Sequence, residues 1–251
     1  MSPVTNAVTA ITSLKIALIG YGKMGKAIEA IAIKRGHTIL LKIDVDTMAE
    51  FTTENLQSCD VAIEFTNPHS AVENISKCLH AGIPVVSGST GWLKRWNEVK
   101  DECAATNGAM VYASNYSVGV NIFFEVNKLL ARLMNQQTDY EVSMVEVHHT
   151  EKKDAPSGTA ITLAEQVIEN LERKETWVNH DSKTPAELSI TSERTDPAPG
   201  THKVKYSSVV DDIEITHTAH NRQGFATGAM LAAEFIKGKH GIFTMKEVLG
   251  F

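Results

Sequence analysis

Between residues 15 and 117, short apolar runs alternate with stretches whose apolar positions recur at helical spacing. Lys15-Ile-Ala-Leu-Ile19 is an apolar run that stops at a glycine, the mark of a strand buried on both faces. Residues 23–34 put Met24, Ile28, Ile31 and Ala32 on one face and predict a helix. Residues 38–43 predict a second strand, closed by Asp44, and residues 61–66 a third. Pro68 then opens a helix at its favoured first turn and Gly82 ends it. Runs at 83–87 and 110–113 complete a five-strand β-α alternation. Such repetition implies a mostly parallel sheet with helices on both faces, and ligands at the carboxyl ends of the strands.

From Val118 the pattern changes. Residues 120–134 form a long amphipathic helical pattern, 140–148 alternate like a strand, and 161–173 return to helix. A loop-rich stretch with Pro185, Pro197 and Pro199 follows, then strand-like runs at 204–209 and 213–219. Strands without intervening helices point to an antiparallel or mixed sheet, hence a second, α+β domain. Residues 224–237 are a final helix, small and apolar on one face, expected to pack back on the first domain. The domain boundaries read as 1–117 with 221–251, and 118–220. There are no internal repeats.

Composition narrows the partners. A chain of 251 residues with 43% hydrophobic and 22% charged positions has enough apolar material for one large core or two modest ones. The formal net charge of −6, with Lys and Arg scattered, argues against nucleic acid, whose phosphates need a basic footprint. No apolar run approaches the roughly 20 residues that span a bilayer. The opening residues 1–13 lack the basic region of a signal peptide and read as a loose extension. Cys59, Cys78 and Cys103 stand far apart, which fits a reducing compartment; cytoplasmic location is the expectation.

Gly20-Tyr-Gly-Lys-Met-Gly25 matches G-x-G-x-x-G, and it follows a strand and opens a helix as a dinucleotide loop must. Gly20 permits the turn, Gly22 lets a pyrophosphate approach the backbone, and Gly25 lets helix pack on strand. The helix N-terminus then faces the negative charge. Asp44, about 20 residues on, is placed to accept from ribose hydroxyls. The first domain is thus expected to be a Rossmann fold. Asp44 would repel a 2′-phosphate and Val45 offers no cation, so NADH is favoured over NADPH, although Lys42 could reach toward the adenine ribose. Phe65-Thr66, Gly88-Ser-Thr90 and Ala113-Ser-Asn-Tyr116 lie at later strand ends on the same rim.

The densest chemistry lies in Glu146-Val-His-His-Thr-Glu-Lys-Lys-Asp-Ala-Pro-Ser-Gly-Thr159. On a strand, Glu146 and His148 share one face and Val145, Val147 and His149 the other. Both histidines therefore reach one pocket only if the strand stops there. Ser157, Gly158 and Thr159 enter a helix and could offer N–H groups and hydroxyls to a substrate carboxylate, with Lys152 as a nearby cation. A zinc site of His148, His149 and Asp154 is the weaker reading, because adjacent strand histidines diverge. No metal is expected. Arg194 and His202 are candidates for rim or oligomer contacts. His217 and His220 read as structural, and Met24, Trp92 and Met230 as core or cover.

This segment closely resembles the signature of the 4-hydroxy-tetrahydrodipicolinate (dihydrodipicolinate) reductase family of bacterial lysine biosynthesis. The resemblance extends over the glycine loop, Phe65-Thr66, the Gly88 loop, Asn115-Tyr-Ser-Val-Gly-Val120 and residues 221–236. It implies that His148 donates a proton with Lys152 assisting. It further implies that His149, Ser157, Gly158 and Thr159 bind the substrate's carboxylates. Gly20, Tyr21, Gly22, Lys23, Met24, Gly25, Asp44, Gly88, Ser89, Thr90, Ala113, Ser114, Asn115 and Tyr116 would line the nucleotide. It also implies a homotetramer built through the second domain's sheet. Glu64 and Ser89 stand where the family commonly has aspartate and threonine, and Val45 replaces a basic residue that some members direct at a 2′-phosphate. Two other readings stay open: another Rossmann reductase of a small carboxylated imine or carbonyl, and a nucleotide sensor without catalysis.

Overall fold

A computed structural model describes residues 13–251; the extension read at 1–13 lies almost wholly outside them. The chain forms two compact units, one ending at Ala113 and resumed by Ala229–Phe251, the other Ser114–Gly228. These breaks differ from the sequence boundaries at 117 and 221: the second falls inside a helix, where hydrophobic periodicity runs on without a signal.

In the first unit, β1 (Lys15–Ile19), β2 (Thr38–Ile43), β3 (Val61–Glu64), β4 (Val85–Ser87), β5 (Ala109–Tyr112) and β11 (Gly241–Phe243) form one sheet in the order β11-β5-β4-β3-β1-β2. Every pairing in it is parallel. The sixth strand, β11, escaped the sequence reading because three residues are too few to show a period. The helices are α1 (Lys23–Lys34), α2 (Thr53–Gln57), α3 (Ala71–His80) and α4 (Trp96–Ala105). Ile75, Cys78 and Leu79 of α3 and Val99 of α4 close one core over the strands. Pro68 does not open α3. The Asn67 side chain accepts from the N–H groups of His69 and Ser70, so the chain turns first and the helix starts at Ala71.

The strand order reverses between β1 and β3, which places the glycine loop and Phe65 together at the carboxyl ends. That is where open α/β sheets take ligands.

The second unit holds β6 (Glu141–His148), β7 (Thr176–Val178), β8 (Glu187–Arg194), β9 (Thr201–Ser207) and β10 (Asp212–Thr218), ordered β10-β9-β6-β8-β7. The β6–β8 and β8–β7 pairs are parallel and the others antiparallel, so the sheet is mixed. Helices α5 (Val118–Met134) and α6 (Gly158–Asn170) cover one face through Phe123, Phe124, Leu163 and Val167. The stretch read as loop contains β7 and β8. Glu187-Leu-Ser-Ile-Thr alternates as a strand should, but the prolines on both sides masked it. Helix α6 starts three residues earlier than expected because Ser157 caps it.

Helix α7 (Gln223–Ile236) carries the break between the units, and α8 (Met245–Leu249) ends the chain. Within the first unit, Glu234 of α7 takes a two-pronged bond from Arg35, at 2.7 Å on each oxygen, and lies 2.8 Å from His37.

Candidate active site

The glycine loop shows why two of its three glycines are needed for the fold. Gly20 has φ +93°, and a Cβ there would lie 2.1 Å from the Phe65 carbonyl oxygen. A Cβ at Gly25 would lie 2.3 Å from the Gly20 carbonyl oxygen. A Cβ at Gly22 would meet nothing within 4 Å, so the loop is open on that side. Helix α1 begins there with no side-chain cap and no acidic residue in its first turn. Tyr21, Lys23 and Met24 are half-buried or exposed around it. A bare, uncapped helix N-terminus beside open space fits the pyrophosphate of a dinucleotide.

Lys42 and Asp44 lie at the end of β2 and are exposed. Asp44 accepts from the Val45 N–H at 2.9 Å and forms a reciprocal cap with Thr47. Lys42 is drawn aside: its ammonium is 2.6 Å from Glu29 of α1 and 4.9 Å above the Tyr21 ring. The Glu29 contact raises the Lys42 pKa from its ordinary value.

Behind the rim, Glu64 is fully buried at the end of β3. Its carboxylate accepts from the Thr66 N–H at 2.9 Å, Ser87 Oγ at 2.7 Å and Ser89 Oγ at 2.6 Å, and from the Thr66 hydroxyl. One carboxylate thus fixes both the Phe65-Thr66 and the Gly88-Ser89 turns. The Phe65 ring fills the space where a Gly88 side chain would stand, 2.2 Å from its Cβ position. Thr90 is exposed beyond them. The sequence noted Glu64 only as a departure from aspartate; an acid inside the apolar run Val61-Ala-Ile-Glu-Phe65 was the available signal. Ala113 closes this unit, and Ser114, Asn115 and Tyr116 fall in the other. There Asn115 accepts from the Ser117 N–H and donates to Thr159 Oγ1 at 3.2 Å.

Strand β6 buries Val142, Met144, Glu146 and His148 on one face. It ends at His148, so the two histidines part. His148 turns inward and only 10% of its side chain is exposed. His149 is half-buried beyond the strand, and its neighbour Thr150 donates its hydroxyl to Asp196 at 2.6 Å.

Around His148, three chain segments converge. Its Nδ1 lies 2.7 Å from Glu146 Oε2, an ion-pair distance, although the two atoms are not aligned as an ideal hydrogen bond. Arg194 of β8 donates to Glu146 Oε1 at 2.9 Å, and the Ser157 N–H donates to the same oxygen at 3.2 Å. Burial alone would push the Glu146 carboxyl up; the contacts from His148, Ser157, Arg194 and Ser192 outweigh it and hold it well below the usual carboxylate range. His202 of β9 packs edge-on to His148 with ring centres 5.1 Å apart. Burial, reinforced by His148, pushes His202 down to about 3, so it stays neutral.

Arg194 and His202, left as rim candidates by the sequence, therefore belong to the cluster. Strand pairing brings them in: Arg194 stands opposite His148 in the β6–β8 register, and His202 opposite Glu146 in β6–β9.

The expected carboxylate cradle is divided. Ser157 is buried and committed inward: its hydroxyl caps the Ala160 N–H at 3.2 Å and lies 3.1 Å from His202 Nε2. Gly158 faces open space, and Thr159 is half-buried beside Asn115. Lys152 is not a bare cation, since both Asp154 oxygens lie 2.8 Å from its Nζ. That pairing also removes Asp154 from the zinc alternative. Glu146, His148 and His202 do lie close enough to share an ion, but the guanidinium on Glu146 already supplies the positive charge.

The N-terminal and C-terminal family descriptions of dihydrodipicolinate reductase match residues 14–116 and 119–249. The chain belongs to the dihydrodipicolinate reductase family. A 4-hydroxy-tetrahydrodipicolinate reductase of Christiangramia forsetii is 49% identical over 94% of this chain and 98% of its own length. The enzyme of that name from Neisseria meningitidis serogroup B is 30% identical over 95% and 98%. In fold, the chain matches a dipicolinate-bound dihydrodipicolinate reductase from Paenisporosarcina sp. TG-14 with TM-score 0.76, at 19% identity over 94% and 98% of the two chains. A probable dehydrogenase from Thermotoga maritima matches at TM-score 0.55 and 10% identity, covering 94% of this chain and 92% of its own. Among the described residues, no helix is long and apolar enough to cross a membrane.

Proposed function

We propose that this protein reduces 4-hydroxy-tetrahydrodipicolinate to tetrahydrodipicolinate in the diaminopimelate and lysine pathway, with His148 as proton donor. The observation that carries the reading is a buried histidine at the end of β6, paired through Nδ1 with Glu146, in a chain of this reductase family.

A nicotinamide dinucleotide bound at the glycine loop supplies the hydride. The remaining work falls to the chain. Loss of the 4-hydroxyl as water leaves a conjugated cyclic imine; conjugate addition of hydride to it puts negative charge on the imine nitrogen and on the ring carbon next to the C=N group, and that carbon needs a proton. A positioned histidine contributes typically ~10²–10⁴-fold to such a transfer. His148 offers its Nε2 proton, because Nδ1 is turned to Glu146. Gly158, Thr159 and His149 are the groups we assign to the substrate's carboxylates, together with Lys152 once it leaves Asp154. Ser157 supports them from behind.

We favour NADH over NADPH. Asp44 at the end of β2 repels a 2′-phosphate, and Glu29 holds Lys42 away from it. We also propose a homotetramer joined through the open face of the second sheet, where Val145 and Val147 point outward and half-buried. Analytical ultracentrifugation tests that assembly. The buried thiols Cys59, Cys78 and Cys103, none of them in a disulfide, fit the cytoplasm.

The deciding experiment supplies enzymatically generated 4-hydroxy-tetrahydrodipicolinate and follows NADH and NADPH oxidation. Turnover is expected with both and higher kcat/KM with NADH. In His148→Gln, kcat should fall by ~10²-fold or more with NADH affinity little changed. Wild-type turnover in that variant would remove His148 as donor. NADH binding without turnover in the wild-type protein would favour a sensor instead.

A further inference from the structure

Resting on His148 as proton donor, we propose that Glu146 is the positioning residue of the reaction: it holds the Nδ1–H of His148, with Arg194 fixing the carboxylate, so that the proton given up is the one on Nε2. Nothing in the substrate chemistry requires this acid. It is the geometry that assigns it.

The hydrogen accounting runs through the cluster. Glu146 is fully buried, and its two oxygens face different partners. Oε1 accepts from Arg194 Nη2 at 2.9 Å and from the Ser157 N–H at 3.2 Å. Among the described residues Oε2 has no well-aligned hydrogen-bond donor, and His148 Nδ1 lies 2.7 Å from it. A buried carboxylate oxygen without a donor is costly, so a hydrogen on Nδ1 is the state that satisfies both atoms. Arg194 is anchored in turn, since the same Nη2 donates to the Asp154 carbonyl oxygen at 2.6 Å. The carboxylate is therefore clamped from the side away from the histidine.

The second ring beside His148 cannot take its place. The Ser157 hydroxyl accepts from the Ala160 N–H and also contacts His202 Nε2 at 3.1 Å. Burial keeps His202 neutral, its Nε2 is engaged with Ser157, and its ring packs edge-on to His148. The charged groups of the neighbourhood are Glu146 on β6, Arg194 on β8, and the Lys152–Asp154 pair in the following loop. Of these, Glu146 is the carboxylate within ion-pair distance of His148 Nδ1. This arrangement resembles in logic the carboxylate that orients a catalytic histidine in hydrolases, where the acid selects the tautomer and does not itself exchange the proton.

The test compares Glu146→Gln, Glu146→Asp and His148→Gln in the full-length enzyme with substrate and NADH. Glu146→Gln should lower kcat by about 10- to 100-fold, less than the ~10²–10⁴-fold of a lost general acid because the donor itself remains, and leave substrate KM and NADH affinity nearly unchanged. Glu146→Asp should restore part of kcat, because the charge survives. The ring nitrogens of His148, followed by 15N NMR, should report Nδ1–H in the wild type and a mixture of tautomers in Glu146→Gln. Thermal unfolding and NADH binding check that each variant is folded. If Glu146→Gln turns over like the wild type, the proposal is wrong while His148 can stand. If kcat falls but the His148 signals do not move and aspartate rescues nothing, Glu146 is a structural residue and the proposal is equally wrong. Normal turnover in His148→Gln would instead overturn the donor assignment, and this proposal with it.

Discussion

A side chain at Gly200 would place its first carbon 3.0 Å from Nε2 of His148. Gly200 sits just before β9 with φ +154°, a conformation that side chains disfavour. Its carbonyl accepts from the Ala219 N–H at 2.8 Å, so the backbone is not at liberty to move away. The bare α-carbon therefore keeps room at the atom from which the proton leaves. Gly200→Ala should lower kcat by about 10- to 100-fold through misplacement of the ring. It should also cost about 1–3 kcal/mol of stability from backbone strain. NADH binding should persist, because the glycine loop lies in the other unit. Unchanged kcat, measured by NADH oxidation, would show that the ring has room to yield.

The ion pair Lys42–Glu29 gives a handle on nucleotide choice. Glu29→Gln removes the carboxylate that draws Lys42 onto α1 and the Tyr21 ring. The released ammonium can then turn to a 2′-phosphate. The NADPH to NADH ratio of kcat/KM should rise by up to ~5-fold, the scale of an exposed ion pair. An unaltered ratio would mean that Asp44 alone sets the preference.

Much of this arrangement is legible in the chain. The glycine loop, its strand and its helix stand where spacing put them, because each glycine answers a local need that spacing records. The alternation of 140–148 correctly put Glu146 and His148 on one face. What could not be read was pairing. Arg194 and His202 reach His148 only because β8 and β9 flank β6, at 46 and 54 residues' distance along the chain, and β8 itself was hidden between prolines. Spacing also says nothing of which donors a residue spends inward. Ser157 looked like part of an anion cradle, but its N–H and hydroxyl are used on Glu146, Ala160 and His202.

The same cluster sets an acid limit on stability. The folded-state pKa of Glu146 is below its ordinary value of 4.5: burial opposes ionisation, but His148, Ser157, Arg194 and Ser192 overcome it. A depressed carboxyl stabilises the fold above the unfolded pKa, and that contribution disappears as pH falls through the folded value. The wild type should therefore lose stability relative to Glu146→Gln as pH drops below ~4.5. Urea unfolding at pH 7 and at stepwise lower pH measures the difference. A gap between the two proteins that stays constant down the series would show that folding does not shift the Glu146 carboxyl.

Gly228 of α7 meets the backbone before Ser117. A Cβ there would stand 1.7 Å from the Tyr116 carbonyl oxygen and 2.7 Å from its carbon, closer than any contact allows. Helix α7 can approach this turn only because residue 228 lacks a side chain. The turn matters, since Tyr116 is buried and its neighbour Asn115 holds Thr159. Ordinarily a glycine inside a helix is improved by alanine, by up to ~1 kcal/mol. Here the clash should reverse that sign. Gly228→Ala should destabilise by about 1–3 kcal/mol, the usual range for overpacking, and loosen Asn115 and Thr159 enough to raise substrate KM. Gly238, past the end of α7 with φ +74° and nothing within 4 Å, provides the comparison, since alanine there costs backbone strain without any clash. Chemical denaturation of both variants decides it: a Gly228→Ala protein as stable as the wild type would mean that α7 does not pack on this turn.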